Sequence, residues 1–169
     1  CNKDKGGSTP SPGPSNVFTV TVEADTKHQT IAGFGGANRM WGTQFLEPAE
    51  ADLAFSTDGE GLGLSIFRVR IASDPAEWPR ILASVQEAQK YGVKIHASPW
   101  SPPANLKSNN NLIGGHLLPE NYETFKDHLN DFVSFMSEKG VDIHAISIQN
   151  EPDIQVSYES CDWTPGSMA

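Results

Sequence analysis

The feature that most constrains the fold is an alternation of short apolar segments with longer segments of helical periodicity. Strand-like segments are predicted at 31–37, 65–71, 93–100 and 142–151, and helical segments at 48–55, 80–91 and 119–139. Strands that alternate with helices are typical of a parallel sheet joined by right-handed crossovers. The sequence therefore predicts the α/β class, with four βα units of which the last is only begun at Thr164 and Pro165. A closed barrel fits better than the alternative, an open doubly wound sheet, because polar side chains cluster at strand ends.

Composition limits the class of partner. The 169 residues have the length of one ordinary domain. With 12 basic and 21 acidic residues the net charge is -9, which makes binding to nucleic-acid phosphates unfavourable. No apolar run approaches the roughly 20 residues that span a bilayer. The sequence contains no cluster of cysteine and histidine with metal-ligand spacing, so we expect neither a metal nor a cofactor.

The N-terminal segment has the composition of a tether. Residues 1–16 are rich in Ser, Gly and Pro and predict a flexible segment, and the alternation that follows predicts a strand over 17–24. Cys1 before such a tether resembles the acylated cysteine of a processed bacterial lipoprotein. This resemblance predicts a secreted or cell-surface protein that contacts the membrane only through a lipid anchor. The alternative is a sequence boundary that falls on a cysteine.

The segment Ser147–Asp153 carries the strongest chemical signal. Glu151 ends the predicted strand 142–151, and a carboxylate at the C-terminal end of a barrel strand lies where such enzymes place their chemistry. Asn150 directly before it can hold a substrate hydroxyl. The alternative is a glutamate that only caps the strand or forms a salt bridge. Along the strand Glu151 has inward parity and Asn150 the opposite one, so the reach of Asn150 depends on how the chain turns at Pro152.

Two further kinds of side chain are expected at the same rim. Arg68 and Arg70 alternate with apolar residues along 65–71, so both face the barrel interior, where each pairs with a carboxylate or contacts substrate. Trp100 ends the strand 93–100, and Trp41 follows the first strand of the barrel. An indole at the rim can stack on a sugar ring, although a tryptophan in isolation is more often part of the core.

Several motifs in order resemble glycoside hydrolase family 30. They are QTIAGFGGA at 29–37, FRVR at 67–70, ASPWSPP at 97–103, ENY at 120–122 and ISIQNEPD at 146–153. The resemblance runs from about residue 17 to the end. It implies a (β/α)8 TIM barrel with a β-sandwich side domain, to which residues 17–24 would contribute a strand and 25–169 the N-terminal half of the barrel.

The resemblance also implies an activity and residue roles. The family cleaves β-glycosidic bonds with retention through two glutamates, and Glu151 matches the acid/base. Asn150 matches the residue that contacts the sugar 2-hydroxyl, Trp100 a subsite aromatic, and Arg68 an active-site arginine. The segment YESCDWT at 158–164 looks most like xylan-cleaving members, so xylan or glucuronoxylan is the expected polysaccharide. A β-1,6-glucanase or another β-glycosidase of the family is the alternative.

The family's nucleophile follows the seventh strand, whereas four strands are predicted here. Half a barrel would leave two open sheet edges, so we expect a second polypeptide or a further C-terminal part to complete the barrel. A truncated product and a self-associating half are the alternatives. A different class of function also stays open, a non-catalytic carbohydrate-binding surface protein or an inactive fragment that uses Trp41, Trp100 and Trp163 as sugar platforms.

Overall fold

The computed structural model describes residues 19–38, 41 and 45–168. Strands and α-helices alternate along the chain as β1 Gly35–Ala37, α1 Pro48–Phe55, β2 Ile66–Ile71, α2 Leu82–Gln89, β3 Lys94–Pro99, α3 Tyr122–Glu138, β4 Ile143–Ile146 and α4 Pro165–Met168. Short 3-10 helices cover Pro75–Ile81, Ala104–Leu106 and Pro119–Asn121. The alternation predicted from the sequence is therefore confirmed. The predicted helix 80–91 begins in the 3-10 helix Pro75–Ile81, and its α-helical part is α2.

The four strands form one parallel sheet in chain order, β1-β2-β3-β4. β2 and β3 pair in an unbroken register, with Arg68 of β2 opposite His96 of β3. The register of β3 and β4 shifts by one residue between Ile95 and His96. Gly35 permits the closest approach between β1 and β2, because a Cβ at this position would lie 2.7 Å from the carbonyl oxygen of Ile66. Parallel strands in sequential order, each followed by a helical connection, are the arrangement of successive barrel units. The predicted α/β class and the first four units of a TIM barrel are confirmed.

The main hydrophobic core lies between the sheet and its helices. Phe67, Val69 and Ile71 of β2 are buried there with Phe132 and Met136 of α3. Alternation along a strand then sends the side chains between them, the two arginines, to the opposite face of the sheet. In a barrel that face is the interior, so the sheet separates an apolar helix side from a polar interior side, as the sequence predicts.

The strand that leads to Glu151 is shorter than predicted. β4 ends at Ile146 rather than Glu151. Beyond it, Ser147 N donates to Ala97 O at 3.0 Å and Asn150 N donates to Pro99 O at 2.9 Å. Three steps along this segment therefore match two steps along β3, which is the pattern of a bulge. The extra residue breaks the simple alternation that the sequence prediction assumed beyond Ser147.

The chain bends at Asn150 and Glu151 and turns at Pro152 and Asp153, as expected, and the unusual backbone conformation is that of Glu151. Its φ of 48° is in the left-handed region, which non-glycine residues rarely adopt. Such a conformation costs on the order of 1–3 kcal/mol and occurs mostly where the surrounding structure holds it. The bulge and this turn together explain how Asn150 and Glu151, which are adjacent in sequence, both line one cleft.

Residues 19–30 belong to a separate compact unit of the chain. Residues 19–30 contain no β-strand and one turn, in which Thr26 N donates to Glu23 O at 3.2 Å. A strand over 17–24 would require a neighbouring strand to accept its hydrogen bonds, and its first two residues lie outside the described part. Cys1 and the predicted tether 1–16 also lie outside it, so acylation of Cys1 stays a prediction.

Candidate active site

A cleft of about 550 Å³ opens on the face of the sheet that carries the arginines. Its lining consists of Trp41, Arg68, Trp100, Asn150, Glu151 and Tyr158. The structure thus brings all the substrate-contacting and catalytic residues predicted from the sequence into one cleft. They arrive from four different segments, the connection after β1, the strand β2 and the connections after β3 and β4. Convergence of side chains from the ends of several strands is how barrel enzymes build their sites.

A chain of hydrogen bonds joins the arginine of β2 to the carboxylate of Glu151. Arg68 Nη2 donates to Asn150 Oδ1 at 2.8 Å. The amide nitrogen Nδ2 of Asn150 then donates to Glu151 Oε2 at 3.2 Å. Because an arginine only donates, its contact fixes which end of the Asn150 amide is the oxygen. The amide nitrogen therefore faces Glu151, and one of its two hydrogens is left for another acceptor.

Tyr158 makes the shortest contact with the carboxylate. Its hydroxyl donates to Glu151 Oε2 at 2.7 Å. This hydrogen bond is the main cause that raises the pKa of Tyr158 above its ordinary value, with burial and the charge of Glu151 adding to it. The hydroxyl consequently stays protonated and available as a donor across the neutral range. No periodic pattern in the sequence points to Tyr158, which lies seven residues beyond Glu151 in an irregular connection.

The two tryptophans have different surroundings. Trp100 is 6% exposed, and the Cζ of Arg68 lies 4.8 Å from its ring centroid. Trp41 is 48% exposed and meets Trp100 edge to face, with centroids 5.6 Å apart. It also approaches the ring of Tyr158 at 6.1 Å. Trp41 and Tyr158 therefore expose aromatic surface to a ligand, whereas the nearly buried ring of Trp100 packs against Arg68 and Trp41.

The second interior arginine holds the wall of the cleft. Arg70 Nε and Nη2 donate to Glu159 Oε2 and Oε1 at 3.0 and 2.5 Å. Glu77 lies 3.5 Å from Arg70 Nη1, and the guanidinium lies 5.5 Å from the ring centroid of Trp41. Of the alternatives that the sequence left open for Arg70, pairing with carboxylates is the one that the structure shows. Because Glu159 follows Tyr158, this pair anchors the segment that carries the tyrosine.

A buried lysine provides a second anchor. Lys107 is 3% exposed, and its Nζ donates to Ser160 O at 2.6 Å and to Ser101 Oγ at 2.9 Å. Burial lowers the pKa of Lys107, an effect opposed by Cys161, Asp162 and Glu159. The hydroxyl of Ser160 in turn accepts from Gly114 N at 2.9 Å. The connection after β3 is thereby tied to the connection after β4.

A third anchor consists of hydrogen bonds between the two ends of the connection after β4. The indole Nε1 of Trp163 donates to Gln149 Oε1 at 3.2 Å, and Trp163 N donates to Pro152 O at 2.8 Å. Gln149 Nε2 also donates to Trp100 O at 2.7 Å. The Gln149 amide therefore holds the connections after β3 and β4 together. Trp163 packs with the cluster around Phe125 rather than lining the cleft.

One histidine of β3 lies beside the arginine of the site. His96 is opposite Arg68 in the register of β2 and β3. Burial, and then the positive charge of Arg68, lower the pKa of His96. The imidazole is therefore neutral at neutral pH and adds no positive charge under the cleft.

Within the described ranges, no group of His, Cys, Asp and Glu side chains could hold a metal ion. In the same part of the chain, no helix is long and apolar enough to cross a membrane. Cys161 is a buried free thiol that packs with Leu106, Leu117 and Phe125.

Comparison with known proteins agrees on one family. Residues 75–161 match the model of the glycosyl hydrolase family 30 TIM-barrel domain. The chain is similar to the glucuronoxylanase XynC of Bacillus subtilis (strain 168), at 36% identity over 161 residues that make up 91% of this chain and 38% of the relative.

Two solved structures share the fold. One is the family 30 subfamily 8 xylanase Xyn30A of Clostridium acetobutylicum, with a TM-score of 0.72 and 35% identity over 83% of this chain and 38% of that one. The other is the endo-β-1,6-glucanase BT3312, with a TM-score of 0.70 and 22% identity over 83% and 39%. The latter likeness shows the fold alone. The chain thus spans less than two fifths of the length of these relatives.

Proposed function

Because the chain belongs to glycoside hydrolase family 30, we propose that it supplies the acid/base half of a retaining, endo-acting hydrolase of β-linked polysaccharide. Glu151 is the proposed general acid/base. The observation that supports this most directly is the position of its carboxylate, on a left-handed turn in a cleft with an arginine-bound amide and open aromatic surface. The whole protein then acts on a polysaccharide that lies across the carboxyl ends of the strands.

A retaining reaction requires two carboxylates about 5 Å apart on opposite sides of the scissile bond. Among the described residues of the cleft lining, Glu151 is the only acidic one. We therefore assign the nucleophile to barrel strands other than these four. In the first step, the nucleophile bonds to the anomeric carbon while the bond from that carbon to the glycosidic oxygen breaks, and Glu151 gives its proton to the departing oxygen. In the second step, Glu151 takes a proton from water, whose oxygen displaces the nucleophile.

Asn150 is the proposed contact for the 2-hydroxyl of the sugar that is cleaved. Its oxygen is used by Arg68, and one amide hydrogen is used by Glu151. The second amide hydrogen is free to donate to a substrate hydroxyl next to the reacting carbon. A hydrogen bond at this position that strengthens in the transition state contributes to rate as well as to binding. Arg68 therefore acts on substrate through the orientation of Asn150.

Xylan, including glucuronoxylan, is the proposed substrate. The relatives above 30% identity carry the names glucuronoxylanase and xylanase, and this chain shares most of its length with them. A β-1,6-glucan is the second candidate, because a β-1,6-glucanase has the same fold. A carbohydrate-binding protein without activity is a candidate of another class, since the exposed ring of Trp41 would bind a sugar in either case.

The test is a Glu151→Gln substitution in the whole protein, with the remainder of the barrel present. We expect turnover of xylan to fall by about 1,000-fold or more, because general acid–base catalysis contributes to both steps. Binding of xylo-oligosaccharide, measured by calorimetry, should change little because the amide has the same shape. Asp153→Asn is the matched control, since Asp153 is an exposed carboxylate outside the cleft lining. Turnover that survives in Glu151→Gln would refute the acid/base assignment, and binding without turnover in the unsubstituted protein would favour the binding protein.

A further inference from the structure

Both donors that contact the carboxylate of Glu151 contact the same oxygen. Tyr158 Oη lies 2.7 Å and Asn150 Nδ2 lies 3.2 Å from Oε2. Among the described residues, no donor lies within hydrogen-bond reach of Oε1. The two oxygens of this carboxylate are therefore chemically distinct before any substrate arrives.

This asymmetry decides where a proton can be held. Each carboxylate oxygen has two lone pairs, and Oε2 already uses both as an acceptor. A proton on Oε2 would displace one of the two hydrogen bonds, whereas a proton on Oε1 displaces none. The Asn150 amide cannot flip to present its oxygen as an acceptor to Glu151, because Arg68 Nη2 donates to that oxygen on the other side.

On the basis of the proposed function, we infer that Tyr158 is a positioning residue that makes Oε1 of Glu151 the proton-delivering oxygen. Its hydroxyl holds Oε2 and, with Asn150, fixes the rotation of the carboxyl group. Oε1 then carries the proton to the glycosidic oxygen in the first step. In the second step, the same oxygen accepts the proton of the attacking water, and the hydroxyl of Tyr158 keeps its own proton throughout.

The tyrosine can hold the carboxylate in this way because its own segment is fixed. The residue after it, Glu159, forms a two-point pair with Arg70, and the carbonyl of Ser160 accepts from buried Lys107. These contacts fall on the two residues immediately after Tyr158. A side chain on a segment without such anchors would lose more conformational entropy on fixing the carboxyl group.

Few of the described residues that line the cleft are charged or titratable, so the effect of removing one hydroxyl is measurable. From β2 the cleft lining includes Arg68, and from the connection after β4 it includes Tyr158. Among the residues that the structure describes, the connections after β1 and β3 contribute only the indoles of Trp41 and Trp100 to the lining. His96 of β3 lies below, beside Arg68 in the register.

The test is Tyr158→Phe in the whole protein, compared with Tyr91→Phe. Tyr91 is the matched control because its hydroxyl also meets a carboxylate, that of Asp52 at 3.4 Å, on the outer helices. Removing the donor from Oε2 makes the charged carboxylate less stable. We therefore expect the alkaline limb of the profile of kcat/KM against pH to move up by about half a pH unit or more. With the carboxyl group no longer fixed, kcat on xylan should fall about 10-fold.

A substrate with an activated aryl leaving group separates positioning from a general loss of structure. Such a leaving group needs little protonation, so Tyr158→Phe should lower kcat/KM, which reports on the first step, much less for this substrate than for xylan. Equal loss on both substrates, or a pH profile that coincides with that of Tyr91→Phe, would overturn the inference. If Glu151→Gln is inactive on xylan, failure of the inference leaves the proposed function standing. If Glu151→Gln keeps its turnover, the proposed function and the inference fall together.

Discussion

Arg70 and Glu159 form a largely buried ion pair whose contribution to stability can be worked out from its contacts. The two side chains are 9% and 17% exposed, and two of their contacts are charge-assisted hydrogen bonds. Such bonds contribute roughly 1.5–3 kcal/mol each when their partners are withdrawn from water. The contact of Arg70 with Glu77 at 3.5 Å is more exposed and adds on the order of 0.5 kcal/mol.

Replacement of Arg70 by methionine should therefore lower the free energy of unfolding by about 3–5 kcal/mol, because a nearly buried carboxylate is left without its partner. Glu159→Gln keeps a hydrogen-bond acceptor for Arg70 and leaves Glu77 in place, so it should lose only about 1–2 kcal/mol. The double variant removes the unpaired charge. It should consequently be more stable than Arg70→Met by about 1 kcal/mol.

The assay is equilibrium unfolding of the whole protein in urea, followed by tryptophan fluorescence, with the slope of each transition compared before free energies are taken. Glu77→Gln is the control for a general effect of removing a negative charge. A double variant that is less stable than Arg70→Met would refute the argument, because it would show that the methionine variant does not suffer from an unpaired carboxylate. A loss below about 0.5 kcal/mol for Arg70→Met would also refute it, since that is the value of a solvent-exposed pair.

Two further predictions concern stability. Gly35→Ala should destabilise the protein by about 1–3 kcal/mol in thermal unfolding, because its Cβ would lie 2.7 Å from the carbonyl oxygen of Ile66, whereas in Gly36→Ala the nearest atom is a side-chain methyl at 3.3 Å. Similar losses in both variants would contradict this. Burial lowers the pKa of His128, although a backbone hydrogen bond with Ala72 and the charge of Asp131 oppose this shift. As the pH drops, the unfolded chain therefore takes up a proton at this histidine before the folded protein does. The free energy of unfolding consequently falls as the pH drops through about 6.5. His128→Asn should therefore show a smaller fall in Tm between pH 7 and pH 5, and an unchanged slope would count against this cause.

The order of elements could be predicted because it depends on local periodicity. The apolar alternation in β2 and the helical spacing in α3 are strong signals, and both elements form close to the predicted bounds. The end of β4 could not be predicted. A bulge depends on hydrogen bonds to β3, a neighbour far away in sequence, and it leaves no periodic trace in the sequence itself.

The candidate site was predictable to the extent that its residues follow from local sequence patterns. Arg68 follows from the alternation within β2, Trp100 and Glu151 follow from the predicted strand ends, and the three meet in one cleft. Tyr158 does not, because its position depends on the anchoring of an irregular connection by Lys107 and by the partner of Arg70. Such contacts combine residues from segments more than fifty positions apart, so pattern alone could not identify them.

The left-handed backbone at Glu151 bears on how this protein would respond to selection. Glycine adopts that conformation without the steric penalty that a glutamate meets there. A Glu151→Gly variant should therefore gain stability while it loses the proposed general acid. A library screened for heat resistance alone would enrich inactive sequences at this one position, and the glutamate would persist only where activity is selected as well.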